Sequence, residues 1–216
     1  HPIPRRQRQM CIRDRIEKTK ICMSVEETRY YLNGVYFHLD DEDDGKEGKK
    51  ILKAVATDGH RLASSSYSSG DEIELLAMPG VIVPKKAVVE ISKILSKQEG
   101  DVKISSTEHR ISFEFDNFCF NSKLIDGTFP DYTDVIPKGN PYRMVANVIQ
   151  LRDAIDRVST VSSAKTKSVK FSIEEEGSLI ISSSSAGAGD GRDEIPVDFP
   201  SGSFCLLYTS DAADEV

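Results

Sequence analysis

The chain has 216 residues, of which 38% are hydrophobic and 29% are charged, and its formal net charge at pH 7 is -7. This balance is typical of a globular protein of one or two domains and excludes a long disordered chain. No run approaches the roughly 18 apolar residues of a membrane-spanning helix, and no secretory signal is recognisable, so we expect a soluble cytoplasmic protein without a membrane partner.

Both ends of the chain carry segments without an amphipathic period, RRQRQMCIRD at residues 5–14 and CLLYTSDAAD at residues 205–214. A DNA reading CGT CGG CAG CGT CAG ATG TGT ATA AGA GAC encodes the first segment, and its reverse complement in a shifted frame encodes the second. The alternative is two native tails that happen to be encoded by an inverted repeat. We interpret residues 1–15 and 205–216 as translated from a sequencing adapter, and expect the natural sequence at 16–204 to be cut from a longer protein.

The first half of the interior begins with residues 16–24, which resemble the end of a helix, and continues with three strand-like segments at 28–39, 49–57 and 60–68. Asn33-Gly34 interrupts the first segment, where either a hairpin turn or a close backbone approach is expected. The acidic run at 40–50 is predicted to be a solvated connection, because a block of like charges is not buried.

Two amphipathic helices follow, and each precedes a set of strands. The first helix is predicted at 84–98, with an apolar face of Ala87, Val88, Ile91, Ile94 and Leu95, and strands at 101–107, 110–115 and 117–124. The second is predicted at 147–161, with Asn147 as its cap, an inward face of Val148, Leu151, Ile155 and Val158, and strands at 168–174, 178–184 and 193–199. The repeated order of helix and antiparallel meander predicts an α+β fold, and residues 126–142, rich in Pro, Gly and Asp, predict the domain boundary.

The cysteines and histidines indicate neither disulfides nor metal. Cys11, Cys22, Cys119 and Cys205 show no CxxC spacing, and a chain of this size needs no disulfide, so we expect reduced thiols. The four histidines form no HExxH motif, and no phosphate-binding loop of the GxxxxGK[ST] kind is present. We therefore expect no metal and no cofactor.

The segment ATDGHRLA at residues 56–63 contains an acid, an imidazole and a guanidinium close together, and it has two interpretations. Asp58 and His60 could form an acid–imidazole pair with Ser64, Ser65 or Ser66 as nucleophile, which would make the protein a hydrolase. The alternative is a tight strand connection, because no GxSxG motif or second acid accompanies the pair.

Five segments resemble the bacterial DNA polymerase III beta subunit, the sliding clamp family, in matching order. They are TRYYLNGV, AVATDGHRLA, VPKKAVVEISKIL, KLIDGTFPDYTDVIP and RVSTVSSAKTKSVKFSI. The resemblance spans about 16–204 and implies a central clamp domain at 16–137 without its first strand and the start of the C-terminal domain at 138–204. It also implies the DNA clamp fold, with sheets outside and helices lining a hole around duplex DNA.

By this resemblance the complete protein is a non-catalytic processivity factor that closes as a head-to-tail homodimeric ring and tethers the polymerase III catalytic subunit, the clamp loader and other clamp-binding proteins. An acidic exterior and a basic bore then coexist in a chain of negative net charge. A structural or adaptor protein without a DNA partner is the third interpretation.

The resemblance also assigns two sets of site residues. The DNA-facing positions are Tyr30, Tyr31, Lys85, Lys86 and Lys138. The positions of a pocket that captures short peptides are Arg29, Leu32, Thr57, Gly59, His60, Arg61, Leu62, Pro130 and Val135. The chain departs from the family at Thr166, where some relatives carry a bulky apolar group, and the pocket wall from the end of the third domain is not in the sequence.

Overall fold

The computed structural model describes residues 5–41, 50–68, 79–98, 101–161, 168–173, 177–185, 189–199 and 204–209. Thr166 and most of the acidic connection predicted at 40–50 lie outside these ranges. The chain divides into two compact units, His1–Asp131 and Tyr132–Val216. The division falls inside the predicted boundary segment at 126–142, and a few residues before the end of the central domain assigned from the sequence.

The described residues of the first unit form two α-helices, two sheets and two short 3₁₀ helices. Its elements are α1 (Arg5–Thr19), 3₁₀ turns at Lys20–Cys22 and Tyr30–Leu32, β1 (Gly34–Asp41), β2 (Lys50–Thr57), β3 (Leu62–Ser68), β4 (Val81–Pro84), α2 (Lys85–Lys97), β5 (Lys103–Ser106), β6 (Arg110–Glu114) and β7 (Cys119–Lys123). One sheet has the strand order β3-β2-β1-β4 and the other β5-β6-β7, and neighbouring strands in both sheets run antiparallel.

The core of the first unit lies between the helices and one face of each sheet. On β1 and β2 the side chains alternate, so Val35, Phe37, Ala54 and Ala56 join the buried cluster with residues of both helices. The other face of the β3-β2-β1-β4 sheet, which we call the outer face, carries the intervening residues. Among them, Tyr36 lies directly opposite Val55, and Thr57 lies directly opposite Leu62.

Helix α2 follows the predicted period closely. Ala87, Val88, Ile91 and Leu95 are buried as expected, and Ile94 is only partly buried at the edge of the same face. The helix starts directly after Pro84 and ends at Lys97. The ring of Pro84 restricts its φ to the value of -60° that this residue adopts before the helix. The predicted helical face is therefore confirmed apart from its margin.

The prediction of one strand over residues 28–39 is wrong at its start. Tyr30–Leu32 forms a 3₁₀ turn in which the Asn33 amide donates to the Tyr30 carbonyl at 3.0 Å, and the strand begins only at Gly34. At Asn33-Gly34 the close-approach interpretation is confirmed and the hairpin is not. A Cβ on Gly34 would overlap the carbonyl oxygen of Val83 in the neighbouring strand.

In the second unit, the described residues form one sheet and one helix that packs on it. Its elements are β8 (Val145–Ala146), α3 (Val148–Ser159), β9 (Ser168–Ile173), β10 (Ser178–Ser185), β11 (Gly189–Asp198) and β12 (Phe204–Thr209), in the sheet order β12-β9-β10-β11-β8. The Asn147 side chain caps α3 as predicted, accepting from the amides of residues 149 and 150. The inward position predicted for Val148 is wrong, since this first-turn residue is 78% exposed and Ala154 fills the core instead.

In the described part of the chain, no helix is long and apolar enough to cross a membrane.

Candidate functional site

The connection between β2 and β3 is a turn held together by its own side chains. Asp58 Oδ1 accepts from the amides of His60 at 3.1 Å and Arg61 at 3.0 Å, and its Oδ2 accepts from Arg61 Nε at 2.9 Å. The Thr57 hydroxyl accepts from the Gly59 amide at 3.1 Å and donates to the Arg61 carbonyl at 2.8 Å. Asp58 is therefore the residue that caps the turn.

Gly59 is required at the tip of this turn for two reasons. Its φ of +92° lies in the left-handed region, where a side chain is disfavoured. In addition, a Cβ at this position would lie 2.8 Å from Arg29 Nη1. The Arg29 guanidinium, whose Nε lies 3.3 Å from Glu26 Oε2, thus passes directly over the turn.

The carboxyl of Asp58 is held in its ionised form. Partial burial, the largest effect, would by itself raise its pKa, but the amides of Arg61 and His60 and the Arg61 guanidinium together lower the pKa below the ordinary 3.8. The side chain of Asp58 is only 13% exposed, whereas that of Arg61 is 56% exposed. The acid faces inward to the turn and the guanidinium faces outward.

This geometry does not support a hydrolase. The oxygens of Asp58 are bound to Arg61 and to backbone amides, and in the described ranges no hydrogen bond joins the His60 imidazole to Asp58. Ser65 is buried on the helix-facing side of β3, where its hydroxyl accepts from Arg15 Nη1 at 3.2 Å. Ser64 and Ser66 lie on the opposite face of that strand. Acid, imidazole and hydroxyl are thus not assembled.

Two of the pocket residues predicted from the sequence, Leu62 and Pro130, belong to segments that contact the outer face at different strands. Leu62 is half-buried opposite Thr57 at the end of the sheet that carries the turn. Pro130 is exposed and follows Phe129, whose ring is 8% exposed and stacks on Tyr36 of the same face with centroids 4.8 Å apart and planes 5° apart. The first unit therefore carries Leu62 next to the turn and an exposed Pro130 in a segment that Phe129 attaches to β1.

The remaining predicted pocket residues are placed differently from one another. Leu32 is 4% exposed and is fixed in the 3₁₀ turn beside Arg29, so it offers support more than open surface. His60 is exposed at the turn. Val135 belongs to the second unit and is 68% exposed there.

A groove of about 830 Å³ lies elsewhere on the first unit and gathers three of the predicted DNA-facing residues, Tyr30, Lys85 and Lys86. Its other lining residues are Ser24, Val25, Asn33, Pro84, Val89, Glu90 and Ile125. The backbone connects the two sides, since the Lys85 amide donates to the Asn33 carbonyl at 2.9 Å. Glu90 is the acidic exception, and its carboxylate pairs with Lys93 at 2.8 Å.

The last two predicted DNA-facing residues lie apart from the groove lining. Tyr31 is half-buried with its ring edge-on to Tyr30, centroids 5.8 Å apart, and its Cβ lies 3.1 Å from where a Cβ on Gly127 would be. Lys138 is exposed in the second unit. In the described residues no group of three or more His, Cys, Asp or Glu is arranged to hold a metal ion.

Comparison with known proteins identifies both units. Residues 8–131 match the family described as DNA polymerase III beta subunit, central domain, and residues 133–206 match its C-terminal domain. The beta sliding clamp of Caulobacter vibrioides is 38% identical over 184 residues, covering 85% of this chain and 48% of the relative. That of Pseudomonas putida is 36% identical over 188 residues, covering 87% and 48%.

Solved structures agree with these sequence matches. The sliding clamp of Bartonella birtlesii bound to griselimycin has a TM-score of 0.83 at 38% identity, covering 95% of this chain and 53% of that one. The Caulobacter crescentus clamp has a TM-score of 0.85 at 34% identity, covering 95% and 54%. The chain spans about half the length of the relatives it matches, and the fold is the α+β clamp fold. With its two units matching two successive domains in order, the chain belongs to the DNA polymerase III beta subunit family, the bacterial sliding clamps.

Proposed function

We propose that this chain is part of a cytoplasmic DNA sliding clamp, a processivity factor that encircles duplex DNA as a homodimeric ring and has no catalytic activity of its own. The observation that carries the proposal is the succession of two clamp domains in one chain, residues 8–131 and 133–206. The proposed clamp function covers the matched residues 8–131 and 133–206. The adapter origin of residues 1–15 and 205–216 stays a prediction that rests on the inverted repeat of their coding sequence, although the family matches reach into both segments. The proposed partners of the complete protein are the replicative polymerase, the clamp loader and other proteins with clamp-binding peptides.

The peptide site is proposed at the outer face beside the turn after β2. Leu62 and Pro130 supply apolar walls, and Leu32 is buried within the 3₁₀ turn beside Arg29. Val135, in the second unit, stays a prediction from the sequence. His60, Arg61 and Arg29 supply donors at the rim, and Thr57 and Gly59 shape the turn. An apolar floor with a few oriented polar groups is the usual composition of a site that captures a short peptide.

Griselimycin is the probe for this site, because a relative at 38% identity has been crystallised with it. We expect the chain to bind it, and Leu62→Ala to weaken binding by roughly tenfold or more, since truncation of a buried apolar anchor costs at least about 1.4 kcal/mol. His60→Ala tests the rim. Ser66→Ala is the matched control, because Ser66 is exposed on the same strand and face but four residues further from the turn. Isothermal titration that gives one dissociation constant for all four proteins would refute the assignment.

The DNA-facing surface is proposed at the groove that contains Tyr30, Lys85 and Lys86, with Tyr31 as a further contact. Lys138, in the second unit, stays a separate predicted DNA contact. Lysines at a helix start beside an exposed aromatic ring suit phosphates and the face of an unpaired base. Sliding requires contacts to phosphates without contacts to specific bases, and this set of side chains offers them.

A fluorescent oligonucleotide titrated over a salt series tests the groove. The double variant Lys85→Ala, Lys86→Ala should bind more weakly and lower the slope of log K against log salt by about 0.9 for each phosphate that a lysine no longer neutralises. Lys103→Ala is the matched control. Lys103 is exposed on β5, its Nζ lies 3.3 Å from Glu114 Oε2, and neither residue lines the groove. Equal slopes for the double variant and the control would remove the groove from the DNA surface.

Loading of the full-length parent onto circular DNA by a clamp loader and ATP separates a clamp from an adaptor without a DNA partner.

A further inference from the structure

Three aromatic side chains form a continuous stack on the outer face of the first unit. The Tyr36 ring lies 4.9 Å from the His38 ring with planes 24° apart, and 4.8 Å from the Phe129 ring with planes 5° apart. Tyr36 and His38 are two residues apart on β1 and therefore share a face, whereas Phe129 comes from the segment after β7. The stack thus joins a distant segment of the chain to the sheet.

That segment, residues 125–130, is fastened to the first unit by contacts spaced along its length. The Ile125 amide donates to the Ile82 carbonyl at 3.0 Å, and Gly127 lies close against Tyr31. The next anchor is Phe129, which is 8% exposed while Pro130 is exposed beside it. The ring of Phe129 is thus an anchor directly before Pro130 in the chain, and Tyr36 is the surface against which it is held.

Tyr36 itself is fixed from more than one side. Its ring lies between those of His38 and Phe129, and a Cβ on Gly80 would overlap its hydroxyl. Burial raises the pKa of Tyr36 and lowers the pKa of His38, so both rings are neutral and suited to stacking near neutral pH. Because these contacts hold the ring of Tyr36 in place, the ring of Phe129 that stacks on it is held in place as well.

We propose that Tyr36, backed by His38, is a positioning residue of the peptide site, which fixes the Pro130 wall by holding Phe129. The inference rests on the proposed peptide-binding function and extends it to residues that the sequence did not single out. Tyr36 acts through Phe129 and is not a contact of the bound ligand. The competing account is that the stack stabilises the fold without influencing the site.

The test compares Tyr36→Leu, Tyr36→Phe and the control Phe118→Leu in the whole chain. Phe118→Leu removes a ring from a comparable stack in the β6–β7 connection, where Phe115 and Phe118 lie 4.5 Å apart with planes 10° apart. Three measurements are made on each variant: the dissociation constant for griselimycin, the urea midpoint, and hydrogen–deuterium exchange of the segment 126–131.

Tyr36→Leu should weaken griselimycin binding by about three- to tenfold, the range that corresponds to one aromatic stack. The same variant should speed exchange in residues 126–131. Tyr36→Phe retains the ring and should restore both values, and Phe118→Leu should lower the urea midpoint with no change in either. If Tyr36→Leu does not fold, Phe129→Leu removes the stack from its other side and carries the same expectation.

Two results overturn the proposal. One is unchanged binding and unchanged exchange at 126–131 in Tyr36→Leu, and the other is an equal loss of affinity in Phe118→Leu. If the unmodified chain does not bind griselimycin, the titration is repeated with the full-length parent, and absence of binding there ends the proposed peptide function. The exchange measurement then decides by itself whether Tyr36 holds residues 125–130.

Discussion

Asp58→Ala is the change that best tests how the turn after β2 is built. It removes the acceptor for two backbone amides at 3.0 and 3.1 Å and for Arg61 Nε at 2.9 Å. Residues 60 and 61 are exposed, so water replaces part of these interactions, and the exposed ion pair contributes at most about 1 kcal/mol. By analogy with the loss of a helix cap, we expect the free energy of unfolding to fall by about 1–2 kcal/mol. Urea unfolding followed by circular dichroism measures this, since the chain has no tryptophan.

Asp58→Asn separates the two roles of the carboxylate. It retains an oxygen for the amides and loses the charge, so we expect a cost of at most about 1 kcal/mol at neutral pH. Because the folded-state pKa of Asp58 is lowered, its ionisation stabilises the protein above the ordinary pKa of 3.8, and this contribution disappears as the pH falls through the folded value. The difference in free energy of unfolding between the unmodified chain and Asp58→Asn should therefore vanish in acid. A cost equal to that of Asp58→Ala, or a difference that persists in acid, would refute the reasoning.

Three further substitutions test backbone constraints, each by urea or thermal unfolding. Gly34→Ala places a Cβ against the Val83 carbonyl between β1 and β4. It should lower the free energy of unfolding by about 2 kcal/mol or more, because backbone on both sides must move. A decrease of less than about 0.5 kcal/mol would contradict the close approach. Gly59→Ala should cost about 1–2 kcal/mol at a φ of +92°, and Gly59→Asn less, so equal costs would count against strain as the cause. Asn147→Ala should cost the second unit about 1 kcal/mol, and Asn147→Asp should retain most of the cap's contribution, so equal costs in both would argue against capping.

Helix α2 and helix α3 could be predicted because each has one face toward a sheet and one toward solvent, which produces a 3.6-residue period. The prediction failed at Val148, where the first turn of α3 is exposed and its apolar residues face solvent. It failed again at Tyr30–Leu32, where aromatic residues favour a strand but local hydrogen bonds form a 3₁₀ turn. Both failures reflect tertiary position, which a local pattern does not contain.

The site shows the same limit. The turn residues from Thr57 to Leu62 are contiguous, so the sequence revealed them together, although it did not reveal what Asp58 does. Val25, Val89 and Ile125 line the groove with Tyr30 but come from three distant segments. Ile125 arrives there through a bridge to Ile82, which no periodicity indicates. For Val25, the sequence offered one signal of its place in the groove: it is a single apolar residue within the polar run SVEETR.

We propose that the bond between Asp58 and Arg61 matters more for binding at the proposed peptide site than for stability. The guanidinium is more than half exposed, so the pair adds little to the free energy of folding. Yet Nε is fixed by the carboxylate, and the carboxylate is fixed by the turn, so the long side chain of Arg61 is oriented before any ligand arrives. A ligand that meets an ordered donor avoids the entropy cost of ordering it, about 0.5–1.5 kcal/mol for a flexible side chain. Asp58→Asn should therefore weaken binding at the rim more than it weakens folding, and the reverse order would mean that Arg61 takes no part in the site.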